Sequence, residues 1–325
     1  MRWQGRRESE NVEDRRYDGG GYDDGPGGGG FGMPFPGGGG GGGFQIPMGQ
    51  GGGGVGIVGM LVILGIALLL GVDPRVLLNG AGGGSGTEFP GGARQIQLPH
   101  SSAQPRAVSA EDDSQKRFVA VVLGDTEDIW TKLFRDMGRT YTPPKLVLFR
   151  GGIQSGCGLA NAQMGPFYCP TNRKVYIDLS FYDMLKRRFK APGEFAQAYV
   201  IAHEVGHHIQ NSLGQLQQVQ RLQAAASGTE RNALQVRVEL QADCYAGVWA
   251  KNTDRINKML EPGDIESAIR AAQAIGDDAI QKSTRGYVVP DSFTHGSSEQ
   301  RVRWFKKGYD GGTVAACDTF GNQTL

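Results

Sequence analysis

The chain has 325 residues, 39% of them hydrophobic, and its 34 Lys plus Arg against 33 Asp plus Glu leave a formal net charge of +1. That balance offers no electrostatic footprint for nucleic acid, and no fixed-period repeat indicates a solenoid. Most of the 53 glycines lie in one stretch, so the foldable part is shorter than the chain.

Residues 1–54 begin with a mixed-charge head (Arg6, Arg7, Glu8, Glu10, Glu13, Asp14, Arg15, Arg16) and run into almost pure glycine. Such sequence has too little apolar surface to offset chain entropy, and it predicts a disordered tail. Between Tyr17 and Gly54 no Lys or Arg interleaves with the glycines, which argues against an RNA-binding tail. Residues 55–72 (VGIVGMLVILGIALLLGV) carry no charge. As a helix they reach about 27 Å, near the thickness of a bilayer's hydrocarbon core, and they predict one transmembrane helix acting as an uncleaved signal anchor. Residues 73–109, rich in Gly, Ser and Pro, read as a flexible linker. Residues 110–325 form the domain, long enough for one well-buried core.

Within the domain, the pattern gives a helix up to Leu123 and another after Asp125, with Ile129, Trp130, Leu133, Phe134 and Met137 on one face. Residues 145–150 and 174–181 read as strands, and residues 175–179 are expected to form an edge that binds an extended peptide. A short helix ends near Phe189, and long helices follow over about 194–213 and 230–251, with a Gln-rich amphipathic stretch at 215–226 between them. Further helices start at Asp264 and Ser298. Helix predominates over a small sheet, so the fold class is α+β. All four cysteines follow the apolar segment, an even number suited to an oxidising compartment. Cys157 and Cys169 bracket a short loop, which leaves Cys244 to pair with Cys317.

The chemistry concentrates in AYVIAHEVGHHIQ, residues 198–210. On a helix His203 and His207 lie one turn apart on one face and can reach a single Zn2+, while Glu204, turned by about 100°, can address a water on that ion as general base. His208 falls off that face and reads as a packing residue. A third ligand is expected from RVELQADCYAGVW: Glu239 as ligand, and Asp243, one turn on, as acceptor for a ligand imidazole. For the oxyanion of amide hydrolysis, His295 is the candidate donor and Tyr245 a second. Gly206 is expected to clear space near the metal.

Residues from about Phe118 to Phe320 resemble the neutral zinc metallopeptidase family of bacteria, and the opening MRWQGRRESENVEDRR is similar to that of its membrane-anchored members. The resemblance implies a zincin-like, gluzincin-type peptidase with one zinc per domain, anchored in the inner membrane, with His203, Glu204, His207 and Glu239 in the roles given above. With the cysteines, it places the domain in the periplasm. Two alternatives stand beside it: a catalytically silent, zinc-stabilised envelope scaffold, and a protein whose glycine tract mediates assembly.

Overall fold

The computed structural model describes residues 1–17, 110–161, 164–187, 189, 191, 193–321 and 325. The expected membrane span at 55–72 and the linker at 73–109 lie outside them. Among the described residues no helix is long and apolar enough to cross a membrane.

A four-stranded sheet forms the floor: β1 (Val12–Asp14), β2 (Lys145–Phe149), β6 (Lys174–Asp178) and β5 (Phe167–Cys169), in that spatial order. β1 and β6 run parallel to β2, with Val12 opposite Leu146 and Leu146 opposite Val175, while β5 is antiparallel to β6. Both faces of β2 and β6 are buried, because alternate residues serve two cores. Leu146, Leu148, Val175 and Ile177 face the helices. Val147, Phe149 and Tyr176 face a small hairpin, β3 (Gly152–Ser155) and β4 (Gly158–Asn161). The disulfide Cys157–Cys169 ties that hairpin to β5. β6 is therefore an interior strand with partners on both sides, not the edge expected from its alternation. The sheet's edges are β1 and β5.

Two expectations fail for one reason. The disordered tail of 1–54 does not hold over residues 1–17, where β1 pairs into the sheet and Met1 and Trp3 are buried. The break expected near Asp125 is absent: α1 (Ala110–Asp136) is one continuous helix. Gly124 sits where the N-terminal segment crosses α1, and a Cβ there would lie 3.1 Å from the Arg7 carbonyl oxygen and 3.2 Å from the Ser9 nitrogen. The glycine marks a close backbone crossing inside a helix instead of its end. Asp125, also in the helix, accepts a hydrogen bond from Trp249 Nε1 at 2.7 Å.

Among the described residues the further α-helices are α2 (Ser180–Arg187), α3 (Glu194–Ser212), α4 (Gln215–Ala225), α5 (Gly228–Asn252), α6 (Asp264–Ala274), α7 (Asp277–Arg285) and α8 (Ser298–Gly311). α5 and α8 start with reciprocal capping boxes, Ser227 with Glu230 and Ser297 with Gln300. α3 is buried almost all round, as its apolar flanks require, and it packs on α5. The second disulfide, Cys244–Cys317, pins α5 to the C-terminal turn. The architecture is mainly helical with a small sheet, an α+β fold.

Candidate metal centre

α3 and α5 bring three side chains to one point. His203 Nε2 lies 3.2 Å from Glu239 Oε2, and His207 Nε2 lies 3.4 Å from the same oxygen. The ligand-type atoms of His203, His207 and Glu239 all fall within 4.8 Å of one another. Four ligands at about 2.0–2.2 Å around a tetrahedral zinc are separated by about 3.3–3.6 Å. The two imidazoles and one carboxylate thus fit zinc in donor chemistry and spacing, with a fourth position left for water or substrate.

The approach of the two helices depends on Gly206. A Cβ there would stand 2.9 Å from the Ala242 carbonyl oxygen and 3.1 Å from its Cα. The residue clears space for α5, not for the metal as expected, and that close packing carries Glu239 up to the imidazoles.

Each imidazole is oriented through its other nitrogen. His203 Nδ1 is 2.8 Å from Asp243 Oδ1, the partner predicted for it. Asp243 also accepts from Tyr199 Oη at 2.5 Å and from the Arg301 guanidinium at 2.8 and 2.9 Å. His207 Nδ1 is 2.9 Å from Gln210 Oε1, whose amide donates to Val238 O and Gln241 Oε1. Glu239 Oε1 accepts from Gln235 Nε2 at 2.8 Å, leaving Oε2 for the shared point.

Burial and pairing set the charges. Burial raises the carboxyl pKa of Asp243, but Arg301 and His203 outweigh it and hold the group at about 2. Burial works against a charged His203, yet Asp243 and Glu239 raise its metal-free pKa to about 10. A metal ion would compete with that proton. Burial pushes the Glu204 carboxyl upward, partly offset by the two nearby imidazoles. Among the described residues none hydrogen-bonds the Glu204 carboxylate, although the residue is only 7% exposed.

The other expected residues divide. His208 packs as expected: it is buried between Tyr168 Oη, 3.0 Å from Nδ1, and Thr142 O, 2.7 Å from Nε2, and burial lowers its pKa to about 4. Tyr245 is a core residue, fully buried, edge-on to Trp130 and donating to Gln215 Oε1 at 3.0 Å. His295 lies near enough for its charge and that of Glu239 to act on each other. Its Nδ1 is 3.4 Å from Asp277 Oδ1, and the other Asp277 oxygen accepts the backbone N–H groups of Thr294, His295 and Gly296 at 2.6–3.0 Å. Burial lowers the His295 pKa, but Asp277 and Glu239 leave it raised overall.

Sequence reasoning missed Tyr199, Gln210, Gln235, Asp277 and Arg301. Three of these had a visible signal, since Tyr199 precedes His203 by four residues, Gln210 follows His207 by three and Gln235 precedes Glu239 by four, all same-face spacings. Asp277 and Arg301 come from other helices and had none.

Among known proteins, the family described as "Putative neutral zinc metallopeptidase" matches residues 1–320. The chain is 47% identical over 321 residues to a protein of Escherichia coli K12, YpfJ, described as uncharacterized, covering 99% of each. It is 39% identical over 265 residues to an uncharacterized protein of Mycobacterium tuberculosis H37Rv, covering 78% of this chain and 85% of the relative. No solved structure matches the chain. With two His and a Glu converging as a zinc peptidase requires, and a match that includes the N-terminal strand, the chain belongs to the putative neutral zinc metallopeptidase family.

Proposed function

We propose that the protein is a zinc-dependent peptidase of the bacterial envelope, hydrolysing peptide bonds at the site between α3 and α5. His203, His207 and Glu239 hold the metal, one per domain, and Glu204 is the general base. The observation that carries this reading is Glu204, a buried residue whose carboxyl pKa burial raises, on the turn that also bears both imidazoles. A structural zinc site needs no such group.

When bound, zinc supplies Lewis acidity that activates water and polarises the scissile carbonyl. Glu204 takes a proton from the attacking water and delivers it to the leaving amine, work for which a raised carboxyl pKa is suited. His295, held by Asp277 and charged below its raised pKa, donates to the oxyanion as it develops. Asp243 and Gln210 keep both imidazoles turned with Nε2 towards Glu239 Oε2, where the three side chains would hold the metal. The substrate is an unfolded or extended polypeptide. The two disulfides favour the periplasm, and residues 55–72 supply attachment to the inner membrane.

The test uses zinc-loaded wild type and Glu204→Gln on unfolded proteins and peptide libraries. The variant is expected to keep one zinc per chain and to lose activity by at least about 100-fold. Equal cleavage by both would remove Glu204 from the mechanism, and cleavage by neither would leave the zinc-stabilised scaffold as the better reading.

A further inference from the structure

Residues 1–17 are built into the same body as residues 110–321 at several independent points. Val12–Asp14 pair with β2, and hydrogen bonds continue on both sides of the pairing, from Leu146 N to Asn11 O and from Arg15 N to Leu148 O, each 2.8 Å. The Ser9 backbone donates to Ala120 O at 2.9 Å. The Glu127 carboxylate of α1 gathers Ser9 Oγ, Asn11 Nδ2 and the Arg7 guanidinium at 2.5–3.1 Å. Trp3 packs edge-on to Phe118, Arg2 N donates to Met259 O at 2.7 Å, and Lys174 Nζ reaches Glu13 at 2.7 Å.

We infer that residues 1–17 and the body at 110–321 lie on the same side of any membrane the protein meets, so the apolar segment at 55–72 does not carry the chain across a bilayer once. A single crossing would put β1 and β2 in different compartments. Eighteen residues in a helix reach about 27 Å, enough for one passage and no return. The flanks cannot supply a second passage. They are rich in glycine and carry Asp23, Asp24, Asp73, Arg75, Glu88 and Arg94, and neither their charges nor their backbone groups could be satisfied in hydrocarbon. Each flank has about 37 residues, which can extend to roughly 120 Å, so the chain has ample length to leave the body and come back to it. The oxidising compartment that forms the two disulfides then also holds the N-terminal head. This inference rests on the strand pairing and is independent of the peptidase reading.

The test is made on the full chain in its native membrane. All four cysteines are in disulfides, so a new thiol at an exposed position is the only target for a membrane-impermeant maleimide. Glu8→Cys reports the head and Lys282→Cys the body, both exposed positions. The two are expected to show the same labelling before and after permeabilisation. Labelling of one before and the other only after would overturn the inference. A second measurement leaves the sequence unaltered. Carbodiimide treatment of sealed membranes is expected to join Glu13 to Lys174 with the yield seen for purified protein. A yield more than tenfold lower would also overturn it.

Discussion

Asp243 is a fully buried carboxylate that serves a ligand imidazole, a tyrosine hydroxyl and a two-pronged guanidinium at once. A buried charge persists only when paired, and Arg301, 3% exposed, is its sole cationic side chain other than His203 among the described contacts. Arg301→Met should cost about 3–5 kcal/mol, read from urea unfolding in excess zinc. It should also weaken zinc by about 10–100-fold in a competition titration, since Asp243 would lose the group that fixes it. Arg301→Lys should rescue little, because an ammonium cannot bridge both carboxylate oxygens in the same geometry. His295 supplies a pH test. Its pKa is raised by Asp277, so the cationic donor is present below that pKa and lost as pH rises through it. Activity is expected to fall on the alkaline side, and Asp277→Asn should move that limb towards lower pH in a kcat profile. An unmoved limb would take His295 out of catalysis. At this scale the pairing of His203 with His207, and of Glu239 with Asp243, was legible because helix geometry links residues four apart, whereas Arg301 and Asp277 stand 58 and 34 residues along the chain from Asp243, where periodicity says nothing.

Helices α3 and α5 form the unit that makes the site, each bringing half of it. The first carries two imidazoles and Glu204 on one turn, and the second brings Glu239 and Asp243 on one face. Neither half is a site alone, and Gly206 sets the distance between them. Gly206→Ala would force the Ala242 backbone to move, since a Cβ would come within 2.9 Å of its carbonyl. Overpacking of this kind costs about 1–3 kcal/mol. The expected outcome is a lower urea midpoint together with weaker zinc binding in the same titration. Undiminished zinc affinity would show that the helix crossing does not set the ligand spacing. α5 is held from outside the site as well. Cys244–Cys317 closes a loop with a sequence separation of 73, against 12 for Cys157–Cys169. In the chain-entropy account the longer closure contributes about 4 kcal/mol and the shorter about 3. The helix starts were readable from their caps, while the edge or interior place of β6 was not. Its alternation suits a half-buried strand, and only the hairpin lying over Tyr176 shows that its second face is covered too.

The whole molecule closes with its first seventeen residues. They read as tail because they are short, charged and followed by glycine, and their few apolar side chains offer little burial of their own. Trp3 instead packs on Phe118 of α1, Val12 pairs with β2 and the buried Met1 sets its amine against Glu261 and Asp264, while Arg7 finds Glu127 on α1 and Glu13 finds Lys145 on β2 and Lys174 on β6. Trp3→Ala should cost about 3–5 kcal/mol in urea unfolding, although the substitution lies in the segment expected to be disordered. A variant lacking residues 18–54 should unfold with the wild-type midpoint, and a drop matching that of Trp3→Ala would show that the glycine tract also contributes to the fold. The amino-acid sequence by itself determined the local features: the paired His and the Glu on one turn, the Glu and Asp on a second helix, the even cysteines, and the apolar run among glycines. Each is written within a few turns of chain, where backbone geometry fixes which side chains share a face. Only the tertiary structure decided that these two helices meet, that Arg301 and Asp277 stand behind the site, and that the N-terminal head is a strand of the sheet. Those facts depend on contacts between residues as far apart in the chain as Met1 and Asp264, which packing settles and local pattern cannot.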